Sequence, residues 1–280
     1  MRSCVAGFLN FARMTNSSLL QKERLSLAYF AMRLGTFWLI GLLLGAGVAI
    51  SQIEKTASPT PTPALPEFRP ALIGTAPNSL INTIDTADLI KKGQKEAAVM
   101  FSCLVAPTGD IVRSGAYRGT RGSELLEKEV LKQLATAKFI PAIHNHQPVI
   151  AIFYGTATFA VVHGKPRLRI FANQQLDELK KENDFIDPQP YVGPDSKFAG
   201  IHYPDTGTTV QLTGVVELAL EVDAAGNLKS IQVVSEEPPY LGFGQAALSD
   251  FNGAKFIPAF RNGKPVESNV KIPVYYKPSG

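Results

Sequence analysis

The residues able to do chemistry are few and poorly placed for it. Four histidines (His144, His146, His163 and His202) and two cysteines (Cys4 and Cys103) make up the ligand and thiol inventory. His144-Asn145-His146 has a spacing that two metal ligands can use, but no third ligand lies nearby in the sequence. The expected reading is a solvent-exposed turn. Ser235-Glu236-Glu237 places two carboxylates together and is expected to be a strand end rather than an acid pair. Gly242-Phe243-Gly244 falls inside an amphipathic helical pattern and lacks the strand-to-helix setting of a phosphate loop. Cys103 sits in a strand pattern, where a small buried hydrophobe is expected. Nothing here demands catalysis. The chain is expected not to be an enzyme, with no catalytic residue, metal ligand or cofactor.

The elements that must position any binding surface come in two copies. Lys138-Phe139-Ile140-Pro141-Ala142 returns as Lys255-Phe256-Ile257-Pro258-Ala259, an offset of 117 residues (255 − 138). The same offset pairs Gly109 with Gly226, Asn145 with Asn262, and Pro148-Val149 with Pro265-Val266. Equal gaps over so long a stretch point to a duplicated unit. It also aligns His144-Asn145-His146 with Arg261-Asn262-Gly263, an ordinary turn.

Each repeat reads strand–strand–helix–strand. In the second, Val216, Leu218, Leu220 and Val222 alternate with Val215, Glu217, Ala219 and Glu221, a strand with one buried face. Asp223–Asn227 turns the chain into a second strand over Leu228–Val234. Leu241–Gly253 is helical, burying Phe243, Ala247, Phe251 and then Ala254. Val266–Tyr276 is the last strand. The first repeat repeats the pattern with Val99, Phe101, Cys103 and Val105, then Leu126, Val130, Leu134 and Ala137. Its other strand face carries Met100, Ser102 and Leu104 where the second has Glu217, Ala219 and Glu221. Its last strand runs on through Ile152–Val162, and Arg167–Phe171 adds another. A face this apolar must be covered, by the second repeat, by its own extra strand, or by a second chain in a homodimer.

A three-stranded sheet with one helix leaves an edge free to accept an extended partner segment through backbone hydrogen bonds. The candidate edge is Val266–Tyr276, whose outward residues are Asn269, Lys271, Pro273 and Tyr275. Pro273 has no N–H to give and suits an edge. The opposing reading is that Pro273 and Lys271 are there to block pairing.

Composition sets the location. The formal charge of +4 lies entirely in residues 1–33, where five basic residues face Glu23 alone; beyond them 23 basic and 23 acidic residues cancel. Such a distribution orients a membrane protein and is no nucleic-acid footprint. Leu34–Ile53 is 20 residues without a charge, long enough to cross a membrane as a helix. The alternative is a cleaved signal peptide with Gly47 and Ala49 before the cut. Residues 56–77 hold six prolines and favour an extended spacer. The expected organisation is a cytoplasmic segment 1–33, a transmembrane helix 34–53 and a proline-rich linker 54–77. A first repeat over 78–171, an inter-domain linker over 172–200 with a short helix near Leu176–Lys180, and a second domain over 201–280 follow.

The second repeat resembles the C-terminal domain of the TonB energy-transducer family. The residues that carry the resemblance are Tyr203-Pro204, Gly214–Leu218, Val222–Gly226, Ala246-Ala247-Leu248, Lys255–Ala259 and Gly263–Val266. The resemblance implies an α+β fold: two tandem TonB C-terminal-like β-β-α-β repeats after one N-terminal transmembrane helix. It implies an inner-membrane, single-pass protein with its N-terminus in the cytoplasm and its C-terminal domains in the periplasm. Its partners would be a peptide of an outer-membrane transporter and an inner-membrane proton-channel complex. The docking strand would be the stretch around Val270–Tyr276, with Val270, Ile272, Val274, Tyr275 and Tyr276 as partner-binding residues. The chain departs from the family in three ways. Its apolar stretch carries no histidine, its spacer is short, and its domain is doubled. These departures keep a second reading open, a periplasmic structural or assembly adaptor that uses the fold without transducing energy.

Overall fold

Residues 64–204 and 212–278 are described by the computed structural model. The expected transmembrane helix at 34–53 lies outside them; among the described residues no helix is long and apolar enough to cross a membrane.

The chain enters through a two-residue strand, β1 (Phe68–Arg69), and two short helices, α1 (Leu80–Thr83) and α2 (Thr86–Lys91). The alternating apolar pattern then becomes β2 (Ala97–Val105), which turns at Gly109 into β3 (Ile111–Gly119). Helix α3 (Glu124–Leu134) buries Leu126, Val130 and Leu134. Its first turn is capped from a distance: the Leu126 N–H donates to Gln94 Oε1 at 2.9 Å. Strand β4 (Ala142–His144) and the 16-residue β5 (Gln147–Val162) form a hairpin, and β6 (Lys165–Phe171) returns along the far half of β5.

Helix α4 (Leu176–Lys181) and strand β7 (Gln189–Val192) follow. The second set is β8 (Gly214–Val222), β9 (Leu228–Glu237), α5 (Phe243–Phe251), the short strands β10 (Phe256–Ile257), β11 (Ala259–Arg261) and β12 (Lys264–Val266), and β13 (Ser268–Tyr276). The expected last strand, Val266–Tyr276, is therefore broken at Glu267. Helix α5 spans less than the expected Leu241–Gly253. The architecture is sheet-rich α+β.

The first sheet has the order β1-β4-β5-β2-β3, with β6 and β7 also on β5 and β10 on β7; the second has the order β13-β8-β9. Within them β5-β2-β3 and β13-β8-β9 share order and antiparallel sense. One bond explains the repeated pentapeptide. The Phe139 N–H donates to Gly109 O, and the Phe256 N–H to Gly226 O, both at 2.9 Å. In each case the chain leaving the helix is tied to the β-turn that precedes it.

Two cores result. Val99, Phe101, Cys103 and Val105 pack with Phe153, Phe159 and the buried face of α3. Val216, Leu218, Leu220 and Val222 pack with Val270, Ile272, Val274, Tyr276, Phe243, Ala247 and Phe251. Each fully buried phenylalanine contributes about 2–3 kcal/mol. The second face of the first sheet is covered within the same chain. Ile152 and Tyr154 belong to the core of the second set, Tyr275 lies against Gly115, and Arg118 reaches Glu217 at 3.3 Å.

Two expected spacers are structural. Phe68 and Arg69 pair with His144 and Ile143, and Leu72 bridges Ile140. Ala71 is fully buried and its N–H donates to Gln189 Oε1 at 2.7 Å. The end of the proline-rich segment is thus an edge strand, since prolines at 66 and 70 favour an extended backbone. Residues 172–200, expected as an inter-domain linker, stitch the two sets together. β7 joins β5 to β10, Ile186 bridges Phe260, and Ile257 and Phe260 enter the first core.

Candidate docking edge

β13 pairs with β8 along its whole length, from Ser268 opposite Val222 to Tyr276 opposite Gly214. Among the described residues no strand pairs with its other edge. The five residues expected to bind a partner divide by face. Val270, Ile272, Val274 and Tyr276 are buried against α5, with the Tyr276 and Phe243 rings 5.1 Å apart. Their side chains build the core, so only their strand's backbone is on offer. Tyr275 is half-buried in the seam between the sheets, its ring 6.3 Å from that of Tyr117. The exposed side chains on β13 are Asn269 and Lys271.

Backbone groups alternate in direction along an antiparallel strand. Lys271 directs both of its groups away from β8: its N–H donates to Gln175 Oε1 at 3.2 Å and its carbonyl accepts from Gln175 Nε2 at 3.0 Å. The same phase turns Asn269, Pro273 and Tyr275 outward. Pro273 supplies a carbonyl and no donor, which leaves complete outward pairs only at Asn269 and Tyr275. Both opposing sequence readings therefore describe part of the strand, an open edge with one proline gap and one occupied slot.

Gln175 is held by a buried polar cluster. Asp187 is fully buried and accepts from the Gln174 N–H at 2.8 Å and from Gln175 Nε2 at 3.0 Å. Burial pushes its carboxyl up to about 7; the Gln175 and Gln174 donors pull it down and Glu178 pushes it up. Gln174 Nε2 donates to Phe101 O at 2.8 Å and to Gly155 O at 3.1 Å. Helix α4 is clamped onto the second set by Arg261, whose guanidinium meets Glu178 at 2.9 Å and lies over the Phe185 ring at 4.8 Å. Sequence reasoning missed Gln174, Gln175 and Asp187. The only trace of them is polarity within a proline-punctuated stretch.

Beside the far end of β13 a groove of about 510 Å³ opens between the sheets, floored by Cys103, Leu104 and Ile152 and flanked by Arg113, Tyr275 and Lys277. Among the described residues no carboxylate lines it. Burial pushes the Cys103 thiol well above its usual value, as suits a packing residue rather than a nucleophile.

The other candidates fall to local roles. Asn145 and His146, at φ 47° and 62°, form the two-residue turn between β4 and β5. His146 Nδ1 meets Leu65 O, while His144 Nε2 lies 2.9 Å from both Asp195 Oδ2 and Tyr191 Oη. Among the described residues no group of three His, Cys, Asp or Glu side chains is arranged to hold a metal. Glu236 is a helix cap, its Oε1 accepting from the Leu241 and Phe243 N–H groups at 3.2 and 2.9 Å.

Residues 199–278, from the approach to β8 through β13, match the family described as Gram-negative bacterial TonB protein C-terminal. No curated protein and no solved structure matches the chain.

Proposed function

We propose that this chain is a TonB-like, membrane-anchored protein that binds partner proteins in the periplasm and serves energy-coupled transport across the outer membrane. The observation that carries the reading is the open edge of β13, the last strand of the segment that matches the TonB C-terminal family. An extended peptide from an outer-membrane transporter adds to that edge through backbone hydrogen bonds. The apolar stretch 34–53 anchors the chain and faces an inner-membrane proton-channel complex. The two sets of elements are a tandem repeat, a reading supported by their shared strand order and by the matching Gly109–Phe139 and Gly226–Phe256 bonds. The protein has no enzymatic role in this reading and uses no cofactor.

Photo-crosslinking in intact cells tests it. The probe belongs at Asn269, exposed on the edge, with a control at the exposed Gln245 on α5. Capture of an outer-membrane transporter from Asn269 but not Gln245, lost when the proton gradient is collapsed, is the expected result. Capture that ignores the gradient, or that reaches only inner-membrane or periplasmic proteins, refutes energy transduction and favours the adaptor. The absence of histidine from residues 34–53 is the observation on that side.

A further inference from the structure

We infer that Gln175 is an intramolecular strand surrogate, which closes the middle of the β13 edge until an incoming segment displaces it. The inference rests on the strand-docking reading above and adds what that reading lacks, the occupant of the edge in the free protein.

A strand added to β13 would satisfy Lys271 with one N–H and one C=O from its own backbone. The Gln175 carboxamide presents the same pair of groups to the same two atoms, at 3.2 and 3.0 Å, from 96 positions away in the chain. A primary amide reproduces the donor and acceptor of a peptide unit, so it fills one slot of a ladder without extending it. Its orientation is settled by chemistry. The Lys271 N–H can only donate and its carbonyl can only accept, and the Nε2 that meets this carbonyl also donates to Asp187 at 3.0 and 3.1 Å. A flipped amide would set its oxygen against the Lys271 carbonyl and its NH2 against the Lys271 N–H, losing both bonds.

The surrogate is also immobilised. The Gln175 N–H donates to Asn173 Oδ1 at 3.2 Å, and the neighbouring Gln174 is buried beneath two backbone carbonyls of the first sheet. Ordering entropy is therefore spent in the fold, and the contact at Lys271 forms at little further cost. The same device recurs two residues beyond Asp187. The Gln189 carboxamide donates to Ala71 O at 3.1 Å and accepts the Ala71 N–H at 2.7 Å. There it holds an edge segment in place; at Lys271 it stands where such a segment would lie. With Pro273 lacking a donor two residues on, no uninterrupted ladder can run along β13 while Gln175 is in place.

Two measurements on the purified full chain test this, with Gln175→Met, which keeps length and packing, and Gln175→Ala. Amide hydrogen exchange resolved at single residues is the first. Lys271 exchange is expected to quicken at least tenfold in both variants while Val270 and Ile272, bonded to β8, hold within twofold and certify the fold. Unchanged Lys271 exchange overturns the inference. The second is binding of a synthetic peptide of the β8 sequence, Gly214–Val222, which already suits the inner edge of β13. At least fivefold tighter binding to Gln175→Met than to the wild type supports displacement. Equal binding to both overturns the gate and leaves strand docking standing. Binding to neither, with faster Lys271 exchange, overturns both.

Discussion

Replacing Gly226 by alanine tests the bond that organises each half of the fold. Gly226 sits at φ 81°, in the left-handed region, and a Cβ there would meet the Phe256 carbonyl oxygen well inside the 3.0 Å that real Cβ contacts do not cross. The conformational part costs roughly 1–2 kcal/mol. The steric part is larger, because neither partner can yield cheaply. Phe256 is 1% exposed in the second core, and its N–H holds Gly226 O at 2.9 Å. The turn itself is pinned by Asp223 Oδ1, which accepts from the Ala225 and Asn227 N–H groups at 3.0 and 2.8 Å. Losing the hydrogen bond costs about 1 kcal/mol and displacing a packed phenylalanine about 1–3 more. The total is about 3–6 kcal/mol, a large share of the margin of a typical domain. Gly263→Ala is the control: φ is 70° and a Cβ would meet nothing within 4 Å, so only the conformational part applies. Gly109→Ala carries the same geometry against the Phe139 carbonyl oxygen and is expected to cost as much as Gly226→Ala. Urea unfolding followed by far-ultraviolet circular dichroism measures all three. A Gly226→Ala loss no greater than that of Gly263→Ala refutes the close approach. Losses at 109 and 226 that differ by more than about 2 kcal/mol refute the equivalence of the two turns.

Asp187, pushed up to about 7 from 3.8 by burial, makes stability depend on pH. The native state holds a proton that the unfolded chain has lost, so this contribution is complete below about pH 4 and disappears as pH rises through about 7, at most about 4 kcal/mol. Asp187→Asn stays neutral and is expected to flatten the profile of unfolding temperature against pH; a variant keeping the wild-type slope refutes the assignment. Arg261 holds Glu178 below the usual carboxylate range through bonds at 3.2 and 2.9 Å. A double-mutant cycle to alanine at both positions is expected to give a coupling of about 1 kcal/mol, and a coupling of zero removes this clamp from the account. Tyr154 Oη is buried with no partner among the described residues. Tyr154→Phe is expected to leave denaturation unchanged or stabilise by up to about 1 kcal/mol, and a loss of that size would contradict the orphan hydroxyl.

Much of the fold was legible in the residues themselves. Period-two alternation at Val216–Val222 and Val99–Val105 reports which face of a strand is buried, because neighbouring side chains point to opposite sides. The spacing of Phe243, Ala247 and Phe251 does the same for a helix. Gly109, Gly226 and the two copies of Lys-Phe-Ile-Pro-Ala mark turns whose demands are local. The edge at Val266–Tyr276 followed from that order of elements, and Pro273 from the chemistry of its missing N–H. The apolar second face of the first strand pair was readable as a surface needing cover, though not what covers it.

Only the tertiary structure decided the rest. Tyr275 reads as an outward residue of the last strand, yet its half-burial in the seam beside Tyr117 depends on how the whole chain packs. Residues 172–200 read as a linker because their bonds are with distant partners; Gln175 meets Lys271 across 96 positions and Gln189 meets Ala71 across 118. A contact of that separation leaves no period, composition or motif behind it. Asp187 looks like any polar loop residue until the fold removes it from water. Local sequence determines the elements and their faces through sterics and hydrophobicity. Which edge stays open, and what fills it, is settled by backbone groups seeking partners once those elements have been brought together.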